Sequence, residues 1–240
     1  MKQEHDISIF PVIHHLDEQT TLAQADIAFE AQADGVFLIS HFGNDAVLPF
    51  LGKQIKKKYP DKQVGLNFLS RGPRSALAAV HDFGLDMMWD DNCGVSSRGI
   101  DTLAYDMENI NQFYERLSKI FASVAFKYQP AEPNPALAAQ NAKSLNFVPT
   151  TSGSATGEPP SVEKIESMSA AVQGDLAVAS GMTVENIHLY APHLRYVLVA
   201  TGVSEDEHHF DFERLYRFIA LAKKSKADSI AEVADPAGGE

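Results

Sequence analysis

Residues 148–204 contain three glycine-rich turns, and each turn directly follows a short apolar run: TTSGSATGEPPSVEKI at 150–165, ASGMTVENI at 179–187 and VATGVS at 199–204. Short apolar runs of this kind are typical of the buried strands of parallel sheets. Glycine in a strand-to-helix turn lets backbone N–H groups approach an anion closely. The last two turns lie about one βα unit apart near the C-terminal end, where (β/α)8 barrels commonly bind a phosphate. The stretch therefore predicts the phosphate-binding rim of such a barrel.

The rest of the chain supplies enough strands to close a barrel. Eight apolar runs, separated by stretches with helical periodicity, lie at 7–15, 35–41, 63–69, 85–92, 123–129, 145–151, 176–181 and 196–202. A complete eight-unit barrel takes roughly 250 residues, and the chain has 240. We therefore predict a single α/β domain, a (β/α)8 TIM barrel over 1–224, followed by a flexible C-terminal tail over 225–240.

Composition argues against several classes of protein. The net charge of −12 disfavours a nucleic-acid partner, because affinity for a phosphate backbone needs clustered Lys and Arg. No apolar run approaches the ~20 residues that span a bilayer, and the N-terminal MKQEHDIS lacks the apolar segment of a signal peptide. The only cysteine, Cys93, cannot form an internal disulfide. We expect a soluble, cytoplasmic protein with no membrane span, and the apolar content of 212–224 suggests a homo-oligomer.

The glycine-rich turns provide the candidate phosphate ligands. The loop at 151–160 could close over a bound ligand as a lid, and the turns after the seventh and eighth predicted strands would form the anion site itself. The candidate phosphate-binding residues are Gly153, Thr156, Gly157, Ser180, Gly181, Thr201, Gly202, Val203 and Ser204.

Polar residues at the predicted strand ends are the candidate catalytic groups, since catalytic residues of this fold come from the C-terminal ends of several strands. Asp90 is the best candidate for a general base, and Lys127 interrupts an apolar run. On neighbouring strands the two would form an acid–base pair, although Lys127 could instead form a structural salt bridge or a Schiff base. Asn67 and His15 complete the catalytic candidates. Only one of His14 and His15 can enter the barrel, because adjacent strand residues face opposite sides.

We predict no cofactor. A divalent metal would require His15 or His41 together with Asp90, and the spacing of these residues is not diagnostic. Cys93 has no neighbouring cation in the sequence that would activate a thiolate.

The segments SATGEPPSVEKI at 154–165, VASGMTVENI at 178–187 and VATGVS at 199–204 resemble the BtpA-like family, whose founding member is a photosystem I biogenesis factor. GLNFL at 65–69 and FKYQ at 126–129 are similar to that family's third-strand and fifth-strand segments. The resemblance covers nearly the whole predicted barrel, and it implies a TIM barrel related to the ribulose-phosphate-binding barrels.

Two classes of function remain open from the sequence. The first is an enzyme acting on a small phosphorylated sugar or nucleotide-like metabolite by isomerase, lyase or glycosyl-transfer chemistry. The alternative is a non-catalytic metabolite-binding or assembly factor that uses the same barrel rim. Turnover of a phosphorylated sugar would indicate the first class, and tight binding without product would indicate the second.

Overall fold

The computed structural model describes residues 6–114 and 118–234. A closed barrel of eight parallel strands forms its centre, which confirms the predicted (β/α)8 TIM barrel. The barrel strands, in order around the barrel, are β1 (Ser8–His14), β2 (Gly35–Ile39), β3 (Gln63–Asn67), β4 (Met87–Asp90), β7 (Lys119–Ser123), β8 (Val148–Thr151), β9 (Ala177–Val178) and β10 (Tyr196–Val199). A short antiparallel hairpin, β5 (Val95–Ser96) and β6 (Gly99–Ile100), follows β4 outside the barrel.

Helices surround the barrel. Within the described residues they are α1 (Glu18–Glu30), α2 (Leu48–Lys58), α3 (Pro73–Asp82), α4 (Thr102–Phe113), α5 (Pro135–Ser144), α6 (Val162–Val172), α7 (Ile187–Tyr190) and α8 (Phe212–Ala234). Side-chain caps fix several helix starts: the Asp17 carboxylate accepts the Thr20 N–H at 2.7 Å, and the Ser161 hydroxyl accepts the Lys164 N–H at 3.2 Å. None of the described helices is long and apolar enough to cross a membrane.

Both faces of the barrel strands are buried, but by different layers. Ile9 and Ile13 of β1 pack in the cluster between strands and helices, whereas the alternate residue Phe10 lies inside the barrel. There it meets Phe37 and Phe121 edge to face, with ring centroids 6.0 and 5.9 Å away. These rings fill the lower part of the barrel, so open space remains at the C-terminal ends of the strands.

The fifth barrel strand differs from its prediction. The apolar run at 123–129 predicts a strand there, but β7 ends at Ser123. The run continues into the following loop because Phe126, which is 4% exposed, packs into the aromatic cluster inside the barrel and needs to be apolar for that reason. Lys127 is therefore a loop residue.

The C-terminal boundary also differs. Helix α8 begins near the predicted position but continues to Ala234, ten residues beyond the predicted end of the barrel at 224. In the first half of this helix, Leu215 and Phe218 are buried. In its second half, the Lys226 ammonium donates to the Pro192 carbonyl at 2.8 Å. Residues 225–234 are thus helical, and the rest of the predicted tail, 235–240, lies outside the described residues.

Candidate functional site

A cavity of about 310 Å³ opens at the C-terminal mouth of the barrel. Its floor is apolar and consists of Val12, Ile39, Trp89 and Leu198 at the ends of four strands. The rim comes from the loops that follow these and the neighbouring strands. Its polar and glycine residues are His14, His41, Lys127, Thr156, Gly157, Ser180, Gly181, Thr183, Thr201 and Gly202.

The glycine turns pack backbone against backbone. A Cβ on Gly202 would lie 2.0 Å from the Met182 carbonyl oxygen, and a Cβ on Gly181 would lie 2.2 Å from the Pro159 nitrogen. Gly181 also has a φ of +69°, a conformation that glycine adopts without strain. The turn at 180–183, the turn at 201–204 and the 152–161 loop are therefore locked together by glycines.

These turns leave donors free. In the described part of the chain, no hydrogen bond uses the backbone N–H groups of Gly181, Thr201 or Gly202. All three residues line the cavity. An N–H group without an internal partner needs water or a ligand, and an anion in the cavity would satisfy these groups.

The structure brings together most of the predicted phosphate-binding residues. Thr156, Gly157, Ser180, Gly181, Thr201 and Gly202 line the cavity. Three others lie elsewhere. Gly153 is buried against the Glu158 carbonyl, Val203 is buried in the outer core, and the Ser204 hydroxyl donates to the Ala200 carbonyl at 2.9 Å.

Lys127 is the cationic side chain of the cavity wall. Its backbone N–H donates to the Ser152 hydroxyl at 2.7 Å, and its ammonium donates to the Thr156 hydroxyl at 3.3 Å. These bonds hold the loop after β7 against the 152–161 loop. Lys127 and Thr156 thus belong to the same cavity lining as the glycine turns.

Lys164 is a residue that sequence reasoning missed. It lies in the first turn of α6, and its ammonium donates to the carbonyls of Ala125 and Ser152 at 2.6 and 2.8 Å. Desolvation lowers the pKa of this lysine to about 8. A lysine is unfavourable in the first turn of a helix because the helix dipole is positive there. That conflict is the signal in the sequence that could have identified a residue clamping two loops of the mouth.

The structure does not bring Asp90 and Lys127 together. Asp90 lies on the same face of β4 as Met88, which packs in the cluster between strands and helices. Trp89 lies on the opposite face and lines the cavity. Its carboxylate accepts the Asn92 N–H at 2.9 Å and is not among the cavity-lining groups. The positive charge of Lys127 instead affects the Asp91 carboxyl. Desolvation raises the pKa of Asp91, and the charge of Lys127 partly offsets this rise. The predicted acid–base pair is therefore not formed, because the strand's alternation turns Asp90 toward the helices.

Asp90 should instead make stability depend on pH. The pKa of its carboxyl is raised from 3.8 to about 7, mainly by burial; the hydrogen bond from the Asn92 N–H opposes this rise, and the nearby charge of Asp91 contributes to it. The Cys93 thiol beside it is also buried, and desolvation raises the thiol pKa. Between pH 4 and 7 the folded protein thus keeps a proton that the unfolded chain loses, so the free energy of unfolding falls as pH rises through this window.

Replacing Asp90 with Asn removes this pH-dependent fall in the free energy of unfolding, and the amide oxygen of the new side chain can still accept the Asn92 N–H. We expect Asp90→Asn to be more stable than the wild type at pH 8 by roughly 2–4 kcal/mol, with a smaller gain at pH 5. Urea unfolding at both pH values measures the effect, and Asp61→Asn, at an exposed carboxylate, is the control. Equal or lower stability of Asp90→Asn at pH 8 would contradict the burial argument.

Of the two adjacent histidines, His14 rather than His15 faces the cavity. His15 is buried on the helix side, where its Nδ1 lies 2.8 Å from the Thr21 hydroxyl of α1. His14 lines the cavity beside His41, with ring centroids 4.8 Å apart. Desolvation, and next the neighbouring His41, lower the pKa of His14 to about 4, so its imidazole is neutral at pH 7. The catalytic candidate at this position is therefore corrected from His15 to His14.

Asn67 lies inside the barrel below the cavity. It is in register with Ile39 on one side and Trp89 on the other, and both of these line the cavity floor. Its side chain is 1% exposed, and its Nδ2 makes no hydrogen bond with the described residues. A buried amide donor without a partner is rare. Asn67 is not itself in the cavity lining, but its register neighbours Ile39 and Trp89 are.

The fold is similar to that of solved barrel enzymes. Phosphoribosyl anthranilate isomerase from Thermus thermophilus matches with a TM-score of 0.62 and 13% identity, over 91% of this chain and 99% of that one. (S)-3-O-geranylgeranylglyceryl phosphate synthase from Thermoplasma acidophilum, in complex with its substrate sn-glycerol-1-phosphate, matches with a TM-score of 0.64 and 12% identity, over 91% and 94%. 3-Keto-L-gulonate-6-phosphate decarboxylase from Vibrio cholerae matches with a TM-score of 0.64 and 10% identity, over 91% and 98%.

Sequence comparison adds no closer relationship. No protein-family model matches the chain, and no curated protein matches it. The structural neighbours share the TIM-barrel fold of this chain. At identities of 10–13% this likeness establishes the fold of the chain and leaves its chemistry to be argued from the cavity.

Proposed function

We propose that this protein is an enzyme acting on a small phosphorylated sugar or nucleotide-like metabolite, with the phosphate bound by the turns at 180–183 and 201–204. The observation that carries the proposal is that Gly181, Thr201 and Gly202 line the cavity and that their backbone N–H groups make no hydrogen bond within the described residues. Backbone donors in a glycine turn bind a phosphate without needing side chains, and Lys127 adds a cation to the same cavity lining.

The charge distribution supports an anionic ligand. The chain has a net charge of −12, yet no carboxylate occurs among the residues that line this cavity in the described part of the chain. The ionisable side chains of the lining are His14, His41 and Lys127. A lining that contains a lysine and no carboxylate favours a negatively charged occupant. Glu207 lies at one edge of the cavity, beside His14 and His41, and is not in that lining.

The rest of the cavity suits the carbon part of such a ligand. A volume of about 310 Å³ is at the lower end of small-molecule sites, so the ligand is a small metabolite. The apolar floor would contact carbon atoms, while the Asn67 amide and the His14 imidazole would contact hydroxyl or carbonyl oxygens. Isomerase, lyase and glycosyl-transfer chemistry all need groups of this kind beside a sugar carbon.

The structural neighbours agree with this class of ligand. Their names include a phosphoribosyl compound, a gulonate 6-phosphate and a glycerol phosphate. We extend phosphate-ester binding from these proteins to this chain as part of the proposal. We also place the chain with the BtpA-like barrels, on the segments SATGEPPSVEKI and SGMTVENI, and propose a cytoplasmic location.

The test is a paired binding measurement. We expect calorimetry to detect binding of sn-glycerol 1-phosphate and ribose 5-phosphate, and to detect none for glycerol and ribose at the same concentrations. Incubation of each bound phosphate ester with the protein, followed by NMR, then detects turnover. Equal affinity for the phosphorylated and unphosphorylated members of both pairs would contradict the phosphate site, and binding without product would favour a non-catalytic binding protein.

A further inference from the structure

Two imidazoles and a carboxylate converge at one edge of the cavity. His14 ends β1, His41 follows β2, and Glu207 lies in the loop after β10. The three come from neighbouring barrel strands, because β1 pairs with β2 on one side and with β10 on the other. One potential ligand atom from each residue lies within 4.8 Å of the corresponding atoms of the other two.

Glu207 is exposed, but the backbone that carries it is fixed. The 204–210 loop is closed at its base by a bridge between Ser204 and Phe210 and by a bond of 2.8 Å from the Glu205 N–H to the His209 carbonyl. The Asp206 carboxylate accepts the N–H groups of His208 and His209 at 2.8 and 2.9 Å. The loop therefore keeps one shape in which Glu207 is at its tip.

The same loop is attached to the first βα unit. The Phe210 N–H donates to the Gln24 side-chain oxygen of α1 at 2.7 Å, and the His208 Nδ1 lies 3.0 Å from the His14 carbonyl oxygen. These bonds place the tip of the loop over the end of β1, where His14 lies. These anchors thus hold the backbone of Glu207 near His14.

His14 also has an unsatisfied ring atom. Its Nδ1 is buried and makes no hydrogen bond within the described residues. A buried polar atom without a partner needs a ligand, because its desolvation is otherwise uncompensated. The adjacent His41 ring provides no hydrogen bond to that nitrogen, although the ring centroids are only 4.8 Å apart.

We propose that His14, His41 and Glu207 bind a divalent first-row transition-metal ion. Two imidazoles and one carboxylate form a donor set that such ions prefer, and three protein ligands leave a coordination position for water or a substrate oxygen. The ligand atoms of a tetrahedral zinc ion are roughly 3.3 Å apart, as bonds of about 2.0–2.1 Å dictate. The present separations are up to 4.8 Å, and rotation of the exposed His41 and Glu207 side chains would shorten them to that spacing.

The position gives the ion a role beside the anion turns. His14 and His41 line the same cavity as Thr201 and Gly202, which follow the neighbouring strand β10. An ion bound there would contact an oxygen of a ligand in the cavity and would polarise it as a Lewis acid. The ion's binding itself does not depend on any phosphorylated ligand, so it can be tested alone.

The experiment measures Zn²⁺ binding to the chelator-treated, tag-free full chain by calorimetry in a phosphate-free buffer. We expect one Zn²⁺ per chain, with affinity reduced at least tenfold in His41→Ala and in Glu207→Gln. Glu205→Gln is the matched control, because Glu205 is an exposed carboxylate of the same loop outside the cluster. Both ligand variants alter exposed side chains, so their folding should be intact, and circular dichroism verifies this. Visible absorption of bound Co²⁺ should be lost in the same two variants.

Wild-type Zn²⁺ affinity in both His41→Ala and Glu207→Gln would overturn the proposal, as would equal weakening in Glu205→Gln. Gly181→Ala alters the turn at 180–183, which follows β9, and should leave Zn²⁺ binding unchanged. The metal site and the phosphate site can therefore fail independently: a protein that binds Zn²⁺ but not sn-glycerol 1-phosphate would retain the first and lose the second.

Discussion

Gly202→Ala is expected to reduce the affinity for sn-glycerol 1-phosphate at least tenfold while the barrel remains folded. The added Cβ would lie 2.0 Å from the Met182 carbonyl oxygen, so the turn at 201–204 must move away from the turn at 180–183. The free N–H groups of the two turns then no longer converge on one anion. A penalty of about 1–3 kcal/mol in unfolding free energy is expected as well, as for other overpacked sites.

Gly35→Ala is the matched control for this variant. Its Cβ would lie 2.3 Å from the Gln63 carbonyl oxygen, a backbone clash of the same kind, at the start of β2 and therefore at the opposite end of the barrel. Both variants should lose stability in urea unfolding, but calorimetry should show weaker ligand binding only for Gly202→Ala. An unchanged affinity in folded Gly202→Ala, or an equal loss in Gly35→Ala, would count against the phosphate site.

Lys127→Met is expected to weaken binding of the same ligand by roughly 10- to 100-fold, which corresponds to the loss of a charge-assisted hydrogen bond. The backbone contact from the Lys127 N–H to Ser152 at 2.7 Å does not depend on the side chain, so the loop should keep its position. Added salt should weaken binding to the wild type more than to the variant, because a charge pair is screened.

Lys57→Met changes the net charge equally but alters an exposed residue of α2. Its affinity should equal that of the wild type within a factor of about two, since screened charges outside the site contribute little. If Lys57→Met and Lys127→Met weaken binding alike, the effect comes from overall charge, and Lys127 is not a ligand-binding residue.

The sequence was sufficient to predict the barrel because each strand is a short apolar run and the runs recur at regular intervals. Seven of the eight predicted runs contain or overlap their strand over most of its length, but the fifth, at 123–129, shares only Ser123 with β7. The reason is Phe126, an apolar loop residue that fills the inside of the barrel. Burial of a loop side chain produces the same local pattern as a strand, so hydrophobicity alone cannot separate them.

The site was predicted only in part. The glycine turns could be read from the sequence, whereas the direction of the side chains at the strand ends could not. Glycine turns have a local signature, and six residues predicted from them line the cavity. The direction in which a strand side chain points has no such signature here, because both faces of a barrel strand are apolar. Phe10 and Val12 do not differ in character from Ile9 and Ile13, so nothing local showed that His14 faces inward and His15 outward.

Glu207 shows a further limit. No motif marks it, because its position beside His14 depends on bonds between residues far apart in the chain. Asp90 shows the opposite case: its place at a strand end suggested a catalytic role, and only the alternation of β4 reveals that it faces the helices.

The anchors of the 204–210 loop also decide when the mouth of the barrel can form during protein synthesis. They join His14 to His208 and Gln24 to Phe210, pairs that are 194 and 186 residues apart. On the ribosome the second member of each pair therefore emerges long after the first. The last strand, β10, must also reach β1 before the sheet closes. A nascent chain that ends before Phe210 therefore has neither these anchors nor this edge of the cavity, so ligand binding begins only after that residue has been made.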